Sequence, residues 1–111
     1  MPITRALTLS GSLFLTIDAK TGTTYTFALG DANNVLITAS NASAQTYSIP
    51  TNASVAFPIG TQINIIQIGA GQVTINSTGA TATAPKLRAR YSAASIICTA
   101  SNTFLVVGDI A

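Results

Sequence analysis

Apolar side chains return at every second position, or in short β-branched runs, along most of the chain, and clusters of Gly, Asn, Asp, Ser or Pro interrupt them. The interruptions fall at intervals of about 8–12 residues, the spacing of short strands joined by turns. No stretch keeps a 3.6-residue period through three helical turns. The pattern predicts strands over 4–9, 12–17, 24–29, 35–39, 46–49, 54–57, 62–68, 72–76, 86–92, 95–99 and 103–107. The expected fold is all-β: a single compact β-sandwich or barrel-like domain of short antiparallel strands. An N-terminal arm or strand pair over 1–23 precedes the β module of 24–111.

Turn chemistry refines these cuts. Gly69-Ala70-Gly71 lies between Ile63-Asn64-Ile65-Ile66-Gln67-Ile68 and Gln72-Val73-Thr74-Ile75, and two glycines free to take positive φ predict a hairpin there. Ser101-Asn102 predicts a second hairpin, because Asn tolerates the left-handed conformation of a tight turn. Pro50 and Pro58 cannot donate to a ladder and mark strand ends or edges. Residues 30–34 form a further loop. Residues 78–85 have no large apolar side chain to bury and predict an exposed excursion. No internal repeat at solenoid spacing is visible.

Hydrophobic residues make up 48% of the chain and charged residues only 7%, against about 25% charged in ordinary soluble domains. Eight charged side chains cannot cloak the roughly 5,700 Å² that a domain of this mass exposes. Part of the exterior is therefore expected to lie against a partner, and the chain to be an oligomer. No run approaches the roughly 18 apolar residues of a spanning helix, so no membrane partner is expected. The first residues alternate polar with apolar and do not read as a secretory signal, which places synthesis in a cytoplasm. A net charge of +2 is too small an excess to argue for nucleic acid.

Chemistry finds little to work with. The absence of histidine removes the commonest general base and metal ligand. Asp18, Asp31 and Asp109 are the only carboxylate side chains, and no spacing pairs them for acid–base work. Cys98 sits in an Ile-Ile-Cys strand context and reads as a buried, unactivated thiol. Gly69-Ala70-Gly71 lacks the third glycine and the following helix of a dinucleotide site. The Asn-Xaa-Ser/Thr triplets at Asn41, Asn52 and Asn76 are what a chain rich in these residues produces by chance. The aromatic residues mostly occupy strand positions and read as core. No catalytic, metal or cofactor site is expected, and the chain does not read as an enzyme. One charge feature stands out: in Lys86-Leu87-Arg88-Ala89-Arg90-Tyr91 a strand would put Lys86, Arg88 and Arg90 on one face. That strip is either a solvated face that discourages edge pairing or a dock for an acidic partner surface.

The run from Ile49 through Ile75, with Ala53-Ser54-Val55-Ala56-Phe57-Pro58-Ile59-Gly60 and Ile68-Gly69-Ala70-Gly71-Gln72-Val73-Thr74 within it, resembles a small β module of tailed-bacteriophage virion proteins. Leu87-Arg88-Ala89-Arg90-Tyr91-Ser92-Ala93-Ala94 and Asn102-Thr103-Phe104-Leu105-Val106-Val107-Gly108-Asp109 look like its last strands, so the resemblance covers roughly 24–111. Such modules end tail fibres and appendages and also stand alone on capsid surfaces. With no anchoring domain or shaft before the module, the resemblance implies a capsid decoration, or cement, protein on the outer surface of the capsid. The chain is then expected to be a homotrimer whose partner is the major capsid protein; Pro2, Ile3, Thr4, Arg5 and Leu7, with Lys86, Arg88 and Arg90, are the residues expected to contact the capsid or a neighbouring subunit. The alternative it implies is a tail-fibre tip, whose partner is a host-surface glycan.

Overall fold

The computed structural model describes residues 15–32, 34–77 and 85–111. Its strands are β1 (Thr16–Lys20), β2 (Thr24–Thr26), β3 (Val35–Ala39), β4 (Gln45–Ile49), β5 (Gln62–Gln67), β6 (Val73–Ser77), β7 (Ala93–Ala100) and β8 (Thr103–Gly108), with a 3-10 turn at Leu29–Ala32. One sheet has the order β1-β3-β5-β7-β8 and the other β2-β4-β6. The first six strands therefore alternate between the sheets, and their pairings within each sheet are all parallel. Parallel neighbours need a crossover, and here each crossover carries a strand of the opposite sheet. The pairs β1–β2, β3–β4 and β5–β6 thus form successive turns of a short coil. β7 and β8 then extend the five-stranded sheet in antiparallel fashion.

The all-β class stands, while the antiparallel sandwich or barrel is corrected to these mixed sheets. Period two identifies a strand but is blind to the direction of its neighbour. The predicted hairpin at Gly69-Ala70-Gly71 is corrected too, since β5 and β6 lie in different sheets and the segment is a corner between them. Stacking without a sequence repeat has a simple cause. Asp18, Ile37 and Ile65 occupy the same position in three successive turns of the coil, so equivalent positions carry unlike residues. The hairpin at Ser101-Asn102 forms between β7 and β8, with Asn102 at φ 56°. Residues 54–57 are turn and loop rather than strand, and the strand predicted at 4–9 and the first half of that at 12–17 fall outside the described residues. So do residues 78–84 of the predicted excursion.

Alternation places one side of every strand inward. Ile37, Ile63, Ile65, Ile96 and Val106 from the larger sheet share a single core with Tyr47, Ile49, Val73 and Ile75 from the smaller. Burying one such aliphatic side chain contributes about 1.5–3 kcal/mol. Phe27, Phe57, Leu87, Cys98 and Phe104 complete the core. Tyr25, Phe27 and Tyr47 pack together with ring centroids 5.8–5.9 Å apart, Tyr25 edge-to-face on Phe27 and the other pairs tilted. Two buried amides hold the β5–β6 corner from inside: Gln67 donates to the Gly69 carbonyl (3.1 Å) and accepts from the Val73 amide (3.1 Å), and Gln45 donates to the Gly71 carbonyl (3.3 Å). Among the described residues no helix is long and apolar enough to cross a membrane.

Candidate interaction surfaces

Each carboxylate is committed to a local partner. Asp18 and Lys20 both lie on the inward side of β1 and pair at 3.2 Å, because two residues along a strand share a face. The Lys20 ammonium also stands 4.2 Å from the Tyr25 ring centroid. Asp31, buried in the 3-10 turn, accepts from the Tyr25 hydroxyl (2.7 Å) and the Ala28 amide (2.8 Å). Burial first, and then the hydrogen bond to Asp31, push the Tyr25 hydroxyl well above the usual tyrosine range. Asp109 accepts from Arg88 through both oxygens, at 2.7 and 2.8 Å, and from Ser92 at 2.7 Å. The Arg88 guanidinium, helped by Ser92, lowers the Asp109 carboxyl to about 2. Among the described residues no three His, Cys, Asp or Glu side chains gather as a metal site.

The basic segment is not the strand its alternation predicts. Lys86 and Leu87 make only isolated bridges, to Thr74 and Ile110, and the chain then turns at Ala89–Tyr91. Tyr91 takes φ 71° and is 66% exposed, where strict alternation would have buried it. Lys86, Arg88 and Arg90 are all exposed, yet they serve different ends. Arg88 is forked onto Asp109, and Arg90 donates to the Ile68 carbonyl (3.0 Å) with its guanidinium 5.3 Å from the Tyr91 ring centroid. Pro2, Ile3, Thr4, Arg5 and Leu7 lie outside the described residues. Cys98 is buried, with its thiol 3.3 Å from the Ala100 carbonyl and 3.6 Å from that of Phe57.

The outer faces of the two sheets differ in kind. On the smaller sheet, Thr24, Thr46 and Thr74 form one row, and Thr26, Ser48 and Asn76 the next. On the larger sheet, one row reads Ile17, Leu36, Asn64, Ser95, Val107. Leu15, Ile17, Leu105 and Val107 are exposed there, with Leu36, Ile66 and Ile97 half-buried beside them. Charge is absent from that row and from these residues. Along its middle, Ser95 donates to Asn64 Oδ1 (2.7 Å) and Gln62 donates to the same oxygen (3.0 Å).

This surface was missed at the level of sequence, although a signal for it exists. Val35-Leu36-Ile37, Ile65-Ile66, Ile96-Ile97 and Leu105-Val106-Val107 put apolar residues on both sides of their strands. Near-continuous apolar runs mark sheets covered on both faces. Compared with known proteins, the chain matches no family model, no curated protein and no solved structure.

Proposed function

We propose that this chain is a structural protein of a tailed-phage virion, a capsid decoration protein that binds the outside of an assembled shell. The observation that carries the reading is the use made of the few ionised groups. Asp18 is taken up by Lys20 of its own strand, Asp31 and Asp109 tie down neighbouring segments, and among the described residues an uncharged apolar sheet face is left outside. Such a molecule is equipped to lie against protein. A subunit that binds only the assembled shell shifts the equilibrium against disassembly in proportion to RT ln(1 + [L]/Kd). That role needs surface and complementarity, with no covalent step. The resemblance of 24–111 to phage virion modules supports the same reading.

Reconstitution tests it. Purified full-length protein is expected to saturate expanded phage shells and to raise their thermal disruption temperature. Failure to bind shells that accept another decoration protein overturns the proposal. The tail-fibre-tip reading is favoured by one feature, a parallel coil finished by the antiparallel β7–β8 hairpin, which suits the end of a rod. Saturable binding to host cells or a surface glycan, without binding to shells, would select it.

A further inference from the structure

We infer that the outer face of the five-stranded sheet is the contact between copies of this chain, with the Leu105–Val107 ridge of one copy seated in the groove of the next. The inference deepens the proposed function and rests on it only for the expectation of a repeated assembly. Three observations converge on it.

The two outer faces come from the same coil and meet the same solvent, yet one is built of Thr, Ser and Asn and the other carries Leu15, Ile17, Leu36, Leu105 and Val107. Solvent alone would not select the second set. Strands apolar on both sides belong to sheets with both faces covered, and among the described residues the core covers only the inner one.

The face also has relief. An open groove of about 460 Å³ runs over it, with Leu15 and Leu36 on one side, Val107 on the other, and Asn64, Ala93 and Ser95 among its lining. Leu105 and Val107 project beside the groove on β8, the edge strand of the sheet. A ridge flanking a trough is self-complementary. A rotation that brings two copies face to face, or closes three around an axis, lays each ridge into a neighbouring trough.

Charge favours a like partner. In a contact between copies, identical or nearby surfaces meet, so any net charge on the face would oppose itself; this face has none among the residues named. An acidic or basic partner would gain nothing from it. Five strands at about 4.8 Å spacing and five residues at about 3.3 Å rise give roughly 400 Å² of flat area, about half of the ~800 Å² per partner of a standard interface. A contact of this size sits at the weak end of specific interfaces, so association is expected to depend on concentration.

Sedimentation velocity of the full-length protein, with and without Val107→Glu, is the test. The wild type is expected to sediment as two or three copies. Val107→Glu is expected to weaken association roughly a hundredfold, the effect of an unpaired charge forced into a contact, with an unchanged far-UV circular dichroism spectrum. Thr24→Glu, on the outer face of the other sheet, should assemble like the wild type. Because Val107 is 40% exposed, the variant has no core to lose; Ser95→Phe, which fills the groove, tests the same contact from the other side. A wild type that is monomeric at every concentration overturns the inference. If its groove amides are then protected from exchange, residues 1–14 of the same chain become the occupant. Val107→Glu and Ser95→Phe proteins that both assemble normally overturn it as well. A protein that self-assembles but ignores shells keeps this contact and loses the capsid reading, whereas a monomer that decorates shells does the reverse.

Discussion

At Gly71 the chain has no room for a side chain: a Cβ built there would stand 1.8 Å from the Ser43 carbonyl oxygen and 2.7 Å from that of Asn41. Gly69 is similar, with its Cβ position 2.5 Å from the Asn41 amide nitrogen. The two glycines let the corner between β5 and β6 pack against the corner between β3 and β4, and the Gly71 amide donates to the Asn41 carbonyl at 2.8 Å. Asn41 keys its own corner by accepting from the Ser43 amide (2.8 Å) and donating to the Thr21 carbonyl of the turn before (2.7 Å). Gly71→Ala must push backbone against backbone and is expected to cost about 1–3 kcal/mol, the range for overpacking, read as a lowered midpoint in urea unfolding. A Gly71→Ala protein as stable as the wild type would show that the corners do not stack so closely. The Gly-Ala-Gly spacing was legible as a turn, but its purpose was not. Positive φ and close approach both select glycine, and only the neighbouring coil distinguishes them.

Among the elements, the last residues are tied to the segment before β7 more firmly than their edge position suggests. Leu87 bridges Ile110, the Arg88 amide donates to the Asp109 carbonyl (3.0 Å), and the Ala111 amide donates to the Lys86 carbonyl (2.8 Å). The Arg88–Asp109 fork lies over this ladder. Arg88 in a regular strand, as its alternation suggests, would need no acidic partner. The chain turns instead, and Asp109 comes within reach from 21 residues away, a distance in sequence that no local pattern reveals. The Asp109 carboxyl is lowered from 3.8 to about 2 by Arg88 first and Ser92 second. A depressed carboxylate adds stability that is fully present above its unfolded value and fades as pH falls through the folded one. Asp109→Asn is therefore expected to melt below the wild type at neutral pH, with the gap closing between pH 4 and pH 2. A gap that persists undiminished at pH 2 would assign the loss to the hydrogen bonds alone. Because both groups are exposed, the effect at neutral pH should be small and should shrink in high salt.

For the whole molecule, alternation and turn spacing were enough to read an all-β chain and most strand positions: 35–39 was placed to the residue, and 62–68 and 103–107 within one. The winding was not legible, because the direction of a strand is decided by where the connection leads it, and Gly69-Ala70-Gly71, a corner to the other sheet, carries the same kind of turn signal as Ser101-Asn102, a hairpin within one sheet. The paired sheets nevertheless leave one global weakness that can be measured. Tyr47 lies on the inner side of β4 with none of its surface exposed, and its hydroxyl has no hydrogen-bond partner among the described residues. Burial, and then the charge of Asp18, raise that hydroxyl from 10.0 to about 12. Tyr25, packed at a tilt against it, is raised in the same direction. A tyrosine whose folded value is raised favours the native state fully below its unfolded value, and that contribution is lost as pH climbs through the folded one. The fold is thus expected to weaken steeply between pH 10 and pH 12, with roughly 2–3 kcal/mol of the loss traceable to Tyr47. Tyr47→Phe removes both the unpaired hydroxyl and the ionisation while keeping the ring that packs on Phe27 and Tyr25. It should match or slightly exceed the wild type at pH 8, since deleting an unsatisfied buried group relieves its desolvation cost. Its advantage should then grow as the pH rises to 12. Thermal midpoints of the two proteins across that range decide the matter: parallel curves would mean that the hydroxyl is satisfied in solution and that the two sheets do not close over it as tightly as the packing around Tyr47 requires.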